Sequence, residues 1–151
     1  MDRTATDTFH MFGNLLRFLS PSTSNGNKLS IVECRTRPGA GAPPNRHAVD
    51  DECFCVLSGE YEFVLDGRVE THGPGSLVKV PNGKPHLFTN RGTTDARMLI
   101  ITWPGTAHDA FFSRAGEPVT SGTTSFPEAK GAPDIPAIKA MAQNCGIELL
   151  I

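Results

Sequence analysis

The chain has 151 residues, 15 of them glycine and 12 proline, with 14 Lys+Arg set against 16 Asp+Glu for a formal net charge of −2. That length is one domain's worth and buries a core without covalent staples. So even a charge balance argues against nucleic acid or an anionic membrane as partner, and no apolar run approaches the roughly 18 residues of a membrane span.

Residues 1–7 are polar and carry acids, and no apolar signal region follows them, so a soluble, cytoplasmic protein is expected. In that setting Cys34, Cys53, Cys55 and Cys145 are expected to be reduced. Cys53 and Cys55 lie two apart in a strand-like run and read as small hydrophobes on one face. Strand signals begin at residues 15–19, closed by a polar loop at 20–28, and resume at 29–36. Residues 38–44, Pro-Gly-Ala-Gly-Ala-Pro-Pro, read as a stiff, turning connection. Residues 52–58 and 61–65 are expected to form a hairpin about Ser58-Gly59-Glu60. Asp66-Gly67 is a two-residue hairpin turn with 68–71 as its return strand. After Gly73-Pro74-Gly75 come strands at 76–80, 86–90 and 97–103. Strands at intervals of about eight to twelve residues mean a sandwich or barrel.

Beyond Trp103 the pattern changes. Residues 108–115 suit a short helix stopped by Gly116, 119–133 a polar loop, and Asp134 the cap of a last helix ended by Gly146. With no internal repeat, the expectation is a single all-β domain over 1–151. Its core barrel covers about 10–105, and a helical and loop tail covers 106–151.

The residues that carry chemistry lie in two stretches, Asn45-Arg46-His47-Ala48-Val49-Asp50-Asp51-Glu52 and Pro81-Asn82-Gly83-Lys84-Pro85-His86. Asn45 and His47, two apart, point the same way from an extended backbone. Glu52 is at an odd offset and joins them only if the chain bends between residues 48 and 51. His86 opens its own strand. Two imidazoles and one carboxylate make a facial ligand set with open positions on iron, manganese, nickel or cobalt, and zinc accepts it too.

These stretches resemble the two motifs of the cupins, in particular the small cupins often labelled quercetin dioxygenase-like. The first motif runs glycine, five residues, His-x-His, three or four residues, Glu, six residues, Gly. Here it reads Gly39, Asn45-Arg46-His47, Glu52, Gly59. The second reads Gly75, Pro81-Asn82-Gly83, His86, Asn90 with every spacing kept. The likeness continues through Gly13, Val56-Leu57-x-Gly59-Glu60, Pro104-Gly105, Phe111-Phe112 and the 145–148 ending.

The resemblance implies a jelly-roll barrel with short C-terminal helices, a homodimer, and a divalent transition metal (iron, manganese, nickel, cobalt or zinc) held by His47, Glu52 and His86. Asn45 replaces the family's first His, and an amide is a weaker donor to late transition metals. Asn45 can therefore be a fourth ligand or a partner of bound water. Alternatively another His substitutes, or the site is metal-free and anchors an organic ligand. The implied activity is a dioxygenase-like oxidoreductase acting on a small phenolic or oxygen-rich molecule in the lumen. A non-redox isomerase, lyase or cyclase and a non-catalytic binder are the alternatives. Glu52 is the candidate base, a role that needs a raised pKa in an apolar pocket. Phe54, Phe63, Phe88, Trp103 and Phe111 are the expected substrate-pocket residues. Phe111 and Phe112 are also candidates for a lid. His10 and His108 can edge into the pocket mouth, although ordinary histidines are the expectation. His72 and Asp50-Asp51 are expected in solvated turns, with a minor second-shell option for Asp51, and Asn90 is expected to be structural.

Overall fold

Alternation along the chain builds two facing antiparallel sheets. The computed structural model describes residues 6–151. In chain order the strands are β1 (Thr8–Met11), β2 (Asn14–Ser20), β3 (Ser30–Thr36), β4 (Gly41–His47), β5 (Asp51–Ser58) and β6 (Tyr61–Leu65). They continue with β7 (Arg68–His72), β8 (Leu77–Val80), β9 (His86–Thr89) and β10 (Ala96–Trp103). Helix α1 (Thr106–Ala115), β11 (Glu117–Val119), α2 (Ile135–Asn144) and β12 (Ile147–Leu149) complete the molecule. One sheet has the order β11-β1-β2-β3-β10-β5-β8 and the other β12-β4-β9-β6-β7. That is the expected all-β jelly roll. The tail supplies one strand to an edge of each sheet.

The inner faces follow the period of two. On β10, Ala96, Met98, Ile100 and Thr102 are buried while the residues between them are not, and β3 repeats the pattern with Ser30, Val32, Cys34 and Thr36. Phe54 from β5 meets Phe63 and Phe88 from the opposite sheet at ring distances of 5.1 and 5.8 Å. Each such side chain contributes about 1.5–3 kcal/mol on burial. Tyr61, fully buried, donates its hydroxyl hydrogen to Thr36 Oγ1.

Two expectations about elements are corrected. Residues 38–44 are not all connection, because β4 starts at Gly41 and carries two of the segment's three prolines, Pro43 and Pro44. Its pairing with β9 shifts register between Ala42 and Asn45, so Pro43 and Pro44 fall where the ladder is interrupted and no N–H is needed. β5 and β6 are not a hairpin. β5 pairs with β10 and β8 in the larger sheet, and β6 pairs with β7 and β9 in the smaller. The turn at Gly59 therefore passes the chain from one sheet to the other. The Asp66-Gly67 hairpin forms as expected, with both residues at positive φ (50° and 84°). The Asp134 side chain caps α2 by accepting from Ala137 N–H, also as expected. Of the polar N-terminal segment, residues 1–5 lie outside the described residues.

Candidate metal centre

The two sequence stretches meet because they sit in different sheets. β4 belongs to the smaller sheet and presents Asn45 and His47 on its buried face. The chain bends at residues 48–50 and enters the larger sheet as β5, whose inner face carries Glu52. This change of sheet resolves the odd offset, since residues facing each other across a barrel need not share a strand's parity. His86 opens β9, where it is the antiparallel partner of Asn45. The loops are stitched together: Gly83 N–H donates to His47 O (2.7 Å) and Asn82 N–H to the Asp51 carboxylate (2.9 Å). Asp51 thus ties down the loop before His86.

One ligand atom from each of His47, Glu52 and His86 lies within 4.8 Å of the other two, and all three residues are buried. His86 Nε2 is 2.9 Å from Glu52 Oε1, and His47 Nε2 is 3.8 Å from Glu52 Oε2 and 3.1 Å from Asn45 Oδ1. Donors about 2.0–2.2 Å from a common ion stand about 3–4 Å from one another, so this set fits a divalent metal. The His86 ring is aimed by its Nδ1–H, which donates to Lys84 O (2.9 Å) and leaves Nε2 as the donor atom. The Asn45 amide N–H groups donate to Pro43 O and His86 O, which turns Oδ1 into the site.

Electrostatics follow from this packing. Burial alone raises the Glu52 carboxyl, but His47, the hydrogen bond from His86 and the nearby His108 outweigh it and hold the group down to about 2. The raised pKa on which a base role for Glu52 depends is therefore not found; the residue stays a carboxylate, as a ligand should. Burial lowers His47, which favours the neutral imidazole a metal takes. Burial also opposes the charge on His86, yet Glu52 and the Lys84 carbonyl together raise it.

The cavity at this centre measures about 40 Å³, several times the ~10–15 Å³ that one water needs. Its wall includes Phe54, Phe88 and Phe111, as expected, together with Phe112. Phe63 and Trp103 do not line it. Phe63 sits behind Phe54 and Phe88 as core, and Trp103 follows the odd-numbered, outward face of β10.

Histidines and acids outside the motifs divide clearly. His108 of α1 is 2% exposed and lines the cavity, with Nε2 4.0 Å from Glu52 Oε2, whereas His10 pairs with Glu117 away from it. His72 ends β7 against Glu70 rather than lying in an open turn. Asp50 is not solvated: at 1% exposure it accepts from Gly105 N–H (2.9 Å) and His108 N–H (3.1 Å). Nothing local in Val49-Asp50-Asp51 marks which acid turns inward, because its partners come from 55 residues downstream and beyond. Asn90 is structural, donating to Thr36 O and Thr94 O. All four cysteines are free, and none belongs to the metal-ligand group.

Comparison with known proteins places this geometry. The family described as Cupin domain matches residues 32–102, which include both motifs. Endoribonuclease YbeY of Myxococcus xanthus (strain DK1622) is 32% identical over 75 residues, half of this chain but only a quarter of that protein's length. A structure described as a sugar phosphate isomerase from a cupin superfamily, of Silicibacter pomeroyi, is 25% identical with a TM-score of 0.54, over 60% of this chain and 59% of that one. Polyketide cyclase RemF of Streptomyces resistomycificus is 23% identical with a TM-score of 0.58, and the match covers 83% of this chain and 85% of that one. Among the described residues no helix is long and apolar enough to cross a membrane.

Proposed function

We propose, starting from the fact that this chain is a small protein of the cupin superfamily, that it is a divalent-metal-dependent enzyme acting on a compact, oxygen-bearing organic molecule in the barrel lumen. The observation that carries this reading is the convergence of His47, Glu52 and His86, buried, at the floor of an aromatic-walled cavity. The reaction class is a dioxygenase-like oxidation, because two imidazoles and one carboxylate with open positions form the donor set of non-haem iron oxygenases. A bound metal supplies Lewis acidity and, as iron, a meeting point for substrate and dioxygen. The protein's own part is to hold the ion through His47, Glu52 and His86, to offer the Asn45 oxygen beside it, and to exclude bulk water with Phe54, Phe88 and Phe111.

A second reading, redox-neutral isomerisation, elimination or cyclisation at the same centre, needs only Lewis acidity from the metal and is supported by the likeness to a structure described as a sugar phosphate isomerase. Among the described residues the wall has no Lys or Arg, so a sugar phosphate is a poor substrate despite the likeness to an isomerase described that way. The experiment is metal analysis and reconstitution of the wild type and His86→Ala, with activity on phenolic and enolisable compounds followed with and without dioxygen. The reading expects about one metal per chain in the wild type and loss of it in His86→Ala. Turnover that stops under nitrogen identifies the oxygenase. Turnover that persists identifies the redox-neutral enzyme, and no metal in either protein refutes both.

We further infer a homodimer. The outer face of the larger sheet carries exposed Leu57 and Leu77 beside half-buried Ile31, Leu99, Ile101 and Trp103, an apolar stripe that a second copy of the chain can cover.

A further inference from the structure

We infer that His108 is a substrate-contacting residue, which holds one oxygen of a ligand whose neighbouring oxygen faces the His47–Glu52–His86 centre. This rests on the metal-dependent reading above and extends it to a residue that belongs to neither sequence motif.

The first support is position. His108 is buried on α1, its ring is stacked on His47 (centroids 6.2 Å, planes 22° apart) and its Nε2 lies 4.0 Å from Glu52 Oε2. It is nevertheless outside the group whose ligand atoms lie within 4.8 Å of one another. His108 therefore borders the metal centre without belonging to its donor set. The second support is unused hydrogen-bonding capacity. Nε2, the ring nitrogen on the Glu52 side, is too far from Glu52 for a hydrogen bond and makes none among the described residues, while Nδ1 lies on the other side of the ring, 3.8 Å from Asp109. A ligand oxygen beside the centre therefore meets a free ring nitrogen in Nε2 and gains a hydrogen bond there.

The third support is rigidity. Asp50, in the bend between His47 and Glu52, accepts from the backbone N–H of His108 itself and from Gly105 N–H. Asp109 on the same turn accepts from Ser22 N–H and the Ser30 hydroxyl. Phe112 packs on the His108 ring at 4.5 Å. The loop that carries two metal donors thus also fixes the helix that presents His108, so the distance between the centre and this nitrogen is set by the fold. A preorganised pair of contacts of this kind selects ligands with two adjacent oxygens. The ligand class that carries two adjacent oxygens on a compact frame is a catechol, an α-hydroxyketone or an enediol.

The test uses Co(II) and two probes, catechol with two adjacent oxygens and phenol with one. Metal-free wild type, His108→Phe and His108→Gln are titrated with Co(II), and the loaded proteins are then titrated with each probe by visible absorption. The expected result is unchanged Co(II) affinity in all three, with catechol affinity lowered about 10-fold in His108→Phe. Partial recovery in His108→Gln, whose amide can again donate or accept, and phenol affinity equal in all three complete the expectation. Equal catechol affinity in wild type and His108→Phe overturns the inference, as does wild type that holds Co(II) but ignores catechol. Co(II) affinity that falls in His108→Phe makes the residue a metal ligand and also overturns it. Wild type that fails to bind Co(II) refutes the metal-dependent reading first and this inference with it. Melting curves of the two variants separate misfolding from loss of a contact, and His108→Ala takes the place of His108→Phe if the latter does not fold.

Discussion

Asn45 occupies the position where the cupin motif has its first histidine, and its surroundings show what the replacement does. The amide nitrogen is spent on two backbone carbonyls, and the oxygen is left beside His47 Nε2 at 3.1 Å. A neutral oxygen there weakens the hold on late transition metals relative to imidazole. Asn45→His is therefore expected to raise zinc or nickel affinity by at least about 10-fold, read by competition with a chelator of known strength. Unchanged affinity would mean that position 45 does not reach the ion. At this scale the sequence was legible where a residue's neighbours are local. His47, Glu52 and His86 were singled out by residue type and by the likeness of their stretches to the cupin motifs, whereas Asp50 and His108 lie outside any such signal, since each acquires its role from a partner more than 50 residues away.

Among the elements, β4 matters most to the site and was the least legible. Gly41, Pro43 and Pro44 are poor strand formers, yet this strand carries Asn45 and His47 and lies between β12 and β9. Pairing on both sides overrides its local preference. Gly41 is required by close approach rather than by an unusual φ: a Cβ there would overlap Phe88 O and stand 2.8 Å from Thr89 Cα. Backbone cannot yield as a flexible side chain can. Gly41→Ala is expected to cost at least the about 1–3 kcal/mol typical of overpacking and to lower metal affinity, as shown by denaturant melts beside a metal titration. Gly67→Ala, at a positive φ with nothing near its Cβ, should cost only its backbone strain and leave the metal site intact.

For the molecule as a whole, the titration of the centre links metal, proton and stability. Glu52 has a folded pKa of about 2, below its ordinary value of 4.5. Its contribution to metal-free stability is present above about pH 4.5 and is lost as pH falls toward 2. His86 is raised above 6.5, so its contribution is full below that value and is lost as pH rises through the folded pKa. His47 is lowered, so acid below 6.5 favours the unfolded chain through it. Thermal melts in chelator are expected to show metal-free protein losing stability on acidification, and a Glu52→Gln variant losing less of it below pH 4.5. A parallel acid loss in both proteins would refute the linkage. Metal uptake should release a proton from His86 and weaken as pH falls, which calorimetry in two buffers of different ionisation enthalpy measures. The outer face of the larger sheet makes its own prediction. Leu57→Glu with Leu77→Glu should convert a dimer to a monomer in light scattering while leaving metal binding in place. A wild type that is already monomeric would remove the dimer from the proposal.

Sequence alone determined an all-β sandwich or barrel, the hairpin at Asp66-Gly67 and the capped last helix, because each depends on alternation or turn chemistry within a short stretch, and the likeness of two stretches to the cupin motifs singled out the jelly roll and the cluster His47, Glu52 and His86. Tertiary structure alone decided which sheet each strand joins, that β5 and β6 part company at Gly59, that Phe63 and Trp103 stay out of the cavity, and that Asp50 and His108 enter it. These outcomes depend on contacts between distant segments, and local preference carries no information about which distant segment will be the neighbour.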